Sequence, residues 1–343
     1  MRFPLKKILI IMILVFIVVV VFYPIRQIWL KKDINENELS IKKSDPKISP
    51  KLCKKINSEN EFADIDATGV YGTLPIVAGS AIVYNATEAT ILFGKNLKDL
   101  RGFASLIKVL TASTSLSIIG EDTLISIQKN ALSDYFENFT IGEKWRVKDL
   151  ASYALITSSN DAARALGIGS AYFFEKEYLH EEQISNKDTV AIFKDAMEQK
   201  ARHYFMDETV ANEIKSMSGL DTKDGKASVT GNILEASQLM LCAFEEYPNM
   251  MSTTKIKNGT FFSYDEKIYE ATNTNIIINE IPNIIFSKTG YTLASGGNLI
   301  ISYRNKNNHI ILVGVMGSSK DARFTDVLLL TQATQKVLEE LEL

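Results

Sequence analysis

Histidine is scarce in this chain. His180, His203 and His309 stand far apart, and none keeps the spacing of a metal site or a catalytic triad. No Gly-x-Ser-x-Gly elbow is present either, which disfavours a histidine-based serine hydrolase. Cysteine is just as scarce. Cys53 lies in a polar stretch and Cys242 in an apolar, helical one, and no Cys/His spacing points to metal. The two read as one exposed thiol and one small core residue. Cys53 is also too far past the N-terminal apolar run to carry a lipid. An excess of basic charge is missing as well. Residues 1–32 hold six basic side chains (Arg2, Lys6, Lys7, Arg26, Lys31, Lys32) and no acidic one, leaving 32 basic against 41 acidic in the remainder. With no basic patch, a nucleic-acid partner is argued against. There is no internal repeat. At 343 residues and 46% hydrophobic content the chain can build a sizeable core, as one large domain or two modest ones.

What is present centres on Ala104-Ser105-Leu106-Ile107-Lys108, at what reads as the start of a helix. Positions i and i+3 share a helix face, so the Ser105 hydroxyl and the Lys108 amine can meet. A serine hydroxyl is a poor nucleophile at neutral pH and needs a base beside it. A lysine can serve if burial or another cation lowers its pKa. At a helix start, the backbone N–H of Ser105 can also face a developing oxyanion.

Two further stretches share this chemistry. Ser158-Ser159-Asn160 follows 53 residues on, and Lys288-Thr289-Gly290 lies near the C-terminal end. Ser-x-x-Lys, Ser-x-Asn and Lys-Thr-Gly together form the signature of penicillin-binding proteins and class A β-lactamases. With its surroundings, namely Ser158-Ser159-Asn160-Asp161-Ala162-Ala163, Gly219-Leu220-Asp221, Asn273-Thr274-Asn275 and Lys288-Thr289-Gly290-Tyr291-Thr292, the chain resembles the serine-type D-alanyl-D-alanine carboxypeptidases of low molecular mass. The resemblance runs from about Ser80 to the C-terminus. Taken singly, Ser158-Ser159-Asn160 could be a helix cap and Lys288-Thr289-Gly290 a strand end.

The resemblance implies a role for each residue. Ser105 would attack the carbonyl of a terminal D-Ala-D-Ala bond and Lys108 would take its proton, which requires a neutral amine. A dry site containing Lys288 would favour that form by like-charge repulsion. Ser158 would relay a proton to the leaving D-alanine, and Asn160 would hold the substrate amide and order Lys108. Lys288 and Thr289 would bind the terminal carboxylate, Gly290 would leave room for substrate along the strand, and Tyr291 would share the oxyanion hole with Ser105 through its backbone N–H. Arg323 could reach the carboxylate or be a surface arginine. No metal or cofactor is called for. The implied partners are peptidoglycan stem peptides ending in D-Ala-D-Ala and β-lactam inhibitors.

The N-terminus carries its own signal. Ile8 to Ile25 is uncharged and almost wholly apolar, long enough to reach across a bilayer core. Lys6 and Lys7 precede it, Tyr23 and Trp29 sit at interfacial positions, and no small-x-small cleavage site follows. The expected organisation is a transmembrane signal-anchor over 1–30, a polar tether over 31–70 and a catalytic domain over 71–343. The resemblance puts that domain outside the cytoplasm.

Element by element, residues 80–84 and 90–93 read as a hairpin, and Lys148 to Leu166 as helical. Residues 186–247 are mainly helical with a break at Ser218-Gly219-Leu220-Asp221. Asn283–Ser287, Asn298–Tyr303 and Ile310–Met316 are three strands, and Asp326 to Leu341 is a last helix. Strands at both ends with helices between predict an α+β fold, with one antiparallel sheet assembled from the two ends and packed with helices. The β-lactamase/transpeptidase-like fold implied by the resemblance is the same.

Two features depart from the family pattern. Phe103 stands where a proline usually precedes Ala-Ser, and Ser159 replaces a commoner alanine. Competing readings are a β-lactamase, a DD-endopeptidase or transpeptidase, and a catalytically silent cell-wall-binding protein. A class A β-lactamase needs a Glu-x-x-Leu-Asn glutamate, which the acidic run Glu175 to Glu182 does not contain. A silent binder has no need of the nucleophile and base that this chain keeps.

Overall fold

The computed structural model describes residues 51–57, 65–133, 139–178 and 186–340. The expected anchor over 1–30 and the first part of the tether lie outside the described residues. Among the described residues no helix is long and apolar enough to cross a membrane.

A short strand β1 (Ile65–Asp66) pairs with the second strand of the expected hairpin, β2 (Ser80–Asn85) and β3 (Thr90–Lys95). Strand β4 (Arg101–Gly102) leads into a 3-10 turn, Ala104–Ile107, that runs directly into α1 (Lys108–Ile119). After a small ribbon, β5 (Leu124–Ser126) with β6 (Lys144–Arg146), come α2 (Val147–Thr157) and α3 (Asn160–Tyr178), which break the expected single helical passage at Ser158. Next are α4 (Asn186–His203), α5 (Asp207–Ala211), strand β7 (Thr230–Gly231) paired with β4, α6 (Ile233–Glu246), α7 (Pro248–Thr253), and a hairpin of β8 (Asn258–Phe262) with β9 (Ile268–Thr272). The chain closes with β10 (Ile284–Thr292), β11 (Gly296–Arg304), β12 (Ile310–Ser318) and α8 (Ala322–Glu340).

The six-stranded sheet has the order β1-β3-β2-β12-β11-β10, with every neighbouring pair antiparallel. It is built from both ends of the domain, as the sequence predicts. The uninterrupted apolar runs of β2 and β12 have a physical cause: both faces of the sheet are covered. Successive side chains of a strand point to opposite faces. Ile82, Tyr84, Leu312 and Met316 therefore join the larger core under the helices, and Ala81, Val83, Val313 and Val315 join a second core with Val327 and Leu330 of α8. Strand β10 is the edge that faces the Ala104–Ile107 turn.

Two expectations are corrected. Cys53 and Cys242 are not an exposed thiol and a separate core residue: they form a disulfide, with Cα atoms 4.2 Å apart. A separation of 189 residues leaves no local trace of that pairing. The polar tether also ends earlier than residue 70. Leu52 and Ile56 are buried, and Glu245 of α6 accepts hydrogen bonds from the backbone N–H groups of Leu52 and Cys53. Gln238 accepts another from Ile56 N–H at 3.2 Å. Two apolar residues in a polar run, together with the disulfide, are enough to fasten this segment to α6.

Candidate active site

Ser105 sits in the 3-10 turn that precedes α1, after Ala104 at φ 46°. That is the left-handed region, which a residue with a Cβ enters at a cost of about 1–3 kcal/mol. Lys108 follows one turn later and is only 1% exposed. Its Nζ lies 2.7 Å from Ser105 Oγ, 2.8 Å from Asn160 Oδ1 and 2.6 Å from the Ser218 carbonyl oxygen. A neutral amine has two N–H bonds and one lone pair. In that form Lys108 could donate to the amide and carbonyl oxygens and turn its lone pair to the Ser105 hydroxyl, the arrangement a general base needs.

The second motif works through a break between helices. Ser158 ends α2 in the left-handed conformation (φ 59°, ψ 28°). Ser159 Oγ accepts from Ala162 N–H at 2.9 Å and so caps α3. The cap anticipated from the sequence is real, but it falls to Ser159. Asn160 becomes the first residue of α3 and bonds Lys108, while Ser158 Oγ accepts from Lys288 Nζ at 2.9 Å.

The third motif lies on β10. Lys288 is 1% exposed, and its Nζ also donates to the Thr289 carbonyl at 2.9 Å. Burial first, then the charge of Lys108 and then that of Arg323, hold its pKa well below the ordinary lysine value. Thr289 Oγ1 hydrogen-bonds Thr274 Oγ1. The loop that supplies Thr274 is fixed by Asn273 Nδ2, which donates to the carbonyls of Thr254 (2.8 Å) and Ile256 (2.9 Å). Gly290 also lies against a close neighbour within the chain. A Cβ there would lie 2.9 Å from Phe103 O and 3.2 Å from Ser105 N, so the close neighbour is the turn that carries Ser105. Tyr291 is 38% exposed, with Lys320 and Arg323 over its ring.

Several contributors carry little sequence signal. Ser218 acts through a backbone carbonyl, so its side-chain identity says nothing. Its loop is held by Thr111 Oγ1, which donates to Met217 O at 2.6 Å, and by Ser216 Oγ, which accepts from the N–H groups of Ser218 and Gly219. Gly219 adopts φ +81°, and a Cβ on it would sit 1.9 Å from Ala104 O. Thr274 and Gly219 lie inside stretches that carried the resemblance, without a role attached. Arg323 is not a surface arginine: it is 7% exposed, donates to Gly290 O at 2.7 Å and stacks over Phe324. The structure therefore joins Ser105, Lys108 and Asn160 in one hydrogen-bonded group and Ser158 with Lys288 in another. Gly290 sits against the first.

A serine hydroxyl, an adjoining amine and a strand edge beside them form a group with the chemistry that acyl transfer requires, and the fold that carries it is similar to that of the penicillin-binding proteins. A penicillin-binding protein from Listeria monocytogenes in its ampicillin-bound form matches with a TM-score of 0.61 at 24% identity, over 76% of this chain and 98% of that one. A DD-transpeptidase of a Streptomyces strain matches with a TM-score of 0.63 at 21% identity, over 76% and 97%. Residues 185–320 match the D-alanyl-D-alanine carboxypeptidase family, in agreement with the resemblance read from the motifs. That match takes in Lys288-Thr289-Gly290 and begins after Ser105 and Ser158, which the fold brings to the same place. A D-alanyl-D-alanine endopeptidase of Escherichia coli is 24% identical over 259 residues, 73% of this chain and 75% of that protein.

Proposed function

We propose that this chain is a membrane-anchored serine DD-carboxypeptidase that removes the terminal D-alanine from peptidoglycan stem peptides. The observation that carries the reading is the 2.7 Å approach of buried Lys108 Nζ to Ser105 Oγ. In the acylation step the Ser105 Oγ–C bond forms as the hydroxyl proton passes to Lys108. The carbonyl oxygen takes negative charge in front of the Ser105 and Tyr291 N–H groups. Collapse breaks the C–N bond, and D-alanine leaves with a proton relayed through Ser158, whose oxygen is oriented by Lys288. Water then cleaves the ester, and Ser105 recovers its proton. Thr289 and Lys288 hold the free carboxylate of the substrate, and penicillin is captured as a stable ester on Ser105.

The test is intact mass after penicillin treatment. One adduct is expected on the wild type and none on Ser105→Ala; equal yield on both would sink the assignment. A second reading, DD-endopeptidase, is favoured by the name of the Escherichia coli relative. Release of D-alanine from a D-Ala-D-Ala peptide, compared with cleavage of a cross-linked dimer, decides between the two.

The anchor over residues 1–30 and an extracytoplasmic catalytic domain belong to the same proposal. They are supported by the apolar run from Ile8 to Ile25 and by the Cys53–Cys242 disulfide, a bond that persists in oxidising compartments. N-terminal sequencing of membrane-extracted protein is expected to begin at or near Met1. A start between Phe22 and Asp33 would mean cleavage and release.

A further inference from the structure

Asn298 on β11 is fully buried, and its side-chain amide bonds only to backbone groups. Its nitrogen donates to Gly102 O (2.8 Å) and Phe103 O (3.1 Å), the two carbonyls just ahead of the Ala104–Ile107 turn. Its oxygen accepts from Gly317 N–H at 3.0 Å. The sheet puts it there. Asn298 is in register with Gly290, so both side-chain positions fall on one face, and the glycine lets the turn lie against that face. The β11–β12 register shifts at the same point: Gly297 faces Ser318 and Leu299 faces Val315, so Met316 and Gly317 together oppose Asn298. At this bulge Gly317 takes φ +65°, and the Asn298 oxygen takes up its N–H.

The turn that Asn298 holds is a strained one. Ala104 at φ 46° persists only where its surroundings over-determine it. On one side Phe103 N–H donates to Val229 O at 2.9 Å. On the other, Asn298 fixes the two carbonyls. Rotation of the peptides before Ala104 would swing both the Ser105 hydroxyl and the Ser105 N–H.

We propose that Asn298 is a positioning residue for the reaction, locking the Gly102–Phe103 backbone so that Ser105 stays on Lys108 and its N–H stays aimed at the developing oxyanion. The proposal rests on the reading of Ser105 as nucleophile. Asn298→Asp tests it: the size and the acceptor for Gly317 are kept, and the two donated bonds are replaced by an oxygen facing two carbonyls. The readout is the rate constant for acylation by a fluorescent penicillin, per active molecule, with the active fraction titrated separately. A fall of about tenfold or more is expected. Ser302→Ala serves as the control, because it removes a buried bond on the same strand (Ser302 Oγ to Ile311 O, 2.9 Å) far along the chain from the turn. A purely structural role would lower melting temperature and active fraction in both variants and leave both rate constants unchanged, which overturns the proposal. If Asn298→Asp does not fold, Asn298→Ala is read in the same assay with the same two outcomes. A wild type that forms no adduct removes the nucleophile assignment and this proposal with it. A wild type that is acylated beside an unslowed variant removes this proposal alone.

Discussion

Lys288 aims its side-chain nitrogen at Ser158 Oγ, 2.9 Å away, from a position that is fully enclosed. A cation so placed opposes folding. Burial, the charge of Lys108 and that of Arg323 all push its pKa down, so the folded protein binds this proton less readily than the unfolded chain does. The stability tied to Lys288 is therefore complete above the unfolded lysine value of about 10.4 and is lost as pH falls toward the depressed folded value. Lys288→Met removes the titrating group. At pH 7 the variant is expected to be more stable by about 1 kcal/mol or more, with a melting temperature about 2–4 °C higher per kcal/mol. The advantage should shrink as pH approaches 10.5. An advantage independent of pH would show that packing, not charge, is responsible.

The same lysine is expected to govern substrate preference. Lys288→Ala should slow acylation by peptides with a free C-terminal carboxylate about tenfold or more, the equivalent of one charge-assisted hydrogen bond. Amide-capped peptides should be poor substrates for the wild type and lose little more. Equal damage to both substrates would show that Lys288 acts only through Ser158 and not on the substrate carboxylate.

Gly219→Ala should abolish rapid acylation, because its Cβ would meet Ala104 O at 1.9 Å and displace either the nucleophile's turn or the Ser218 carbonyl. Gly225→Ala is the matched comparison. Its φ of +76° is as unfavourable, yet nothing lies within 4 Å. It should cost about 1 kcal/mol of stability and leave the acylation rate unchanged. Similar rates in the two variants would mean that the Gly219 contact can relax.

Cys242→Ala should lower stability by about 2–5 kcal/mol, and reductant should do the same to the wild type and nothing further to the variant. Thermal melts with and without reductant make the comparison. The penicillin acylation rate should hold, because neither cysteine bonds a residue of the site. A loss of rate on reduction would extend the role of α6 to the chemistry.

The parts of this protein that were legible from its sequence are those marked by side-chain type and spacing. Ser105, Lys108, Asn160 and Lys288 stood out in that way, and the fold sets Lys108 against Ser105 and Asn160, and Lys288 against Ser158. The strands β2, β11 and β12 were legible because both faces are buried and the apolar runs are long. What stayed hidden works through backbone or through long-range approach. The Ser218 carbonyl could belong to any residue. Asn298 is one asparagine among many until register sets it opposite Gly290. The nearness of Gly290 to Phe103 and Ser105 is a tertiary fact that its strand position does not announce. Cys53 looked free, and its segment looked like tether, because the partner helix lies 189 residues away.

Strand β12 lies between β2 and β11, at the middle of the sheet, yet of the sheet's strands it is the last in the chain. During synthesis β2 and β3 emerge early and wait with one apolar edge unpaired until Ile310–Ser318 arrives. Open edges of that kind template aggregation. Nonsense or frameshift products ending anywhere before Ile310 should therefore appear as insoluble material rather than as a smaller, partly working protein. Carriers and tags fused after α8, by contrast, would leave the sheet's closure untouched.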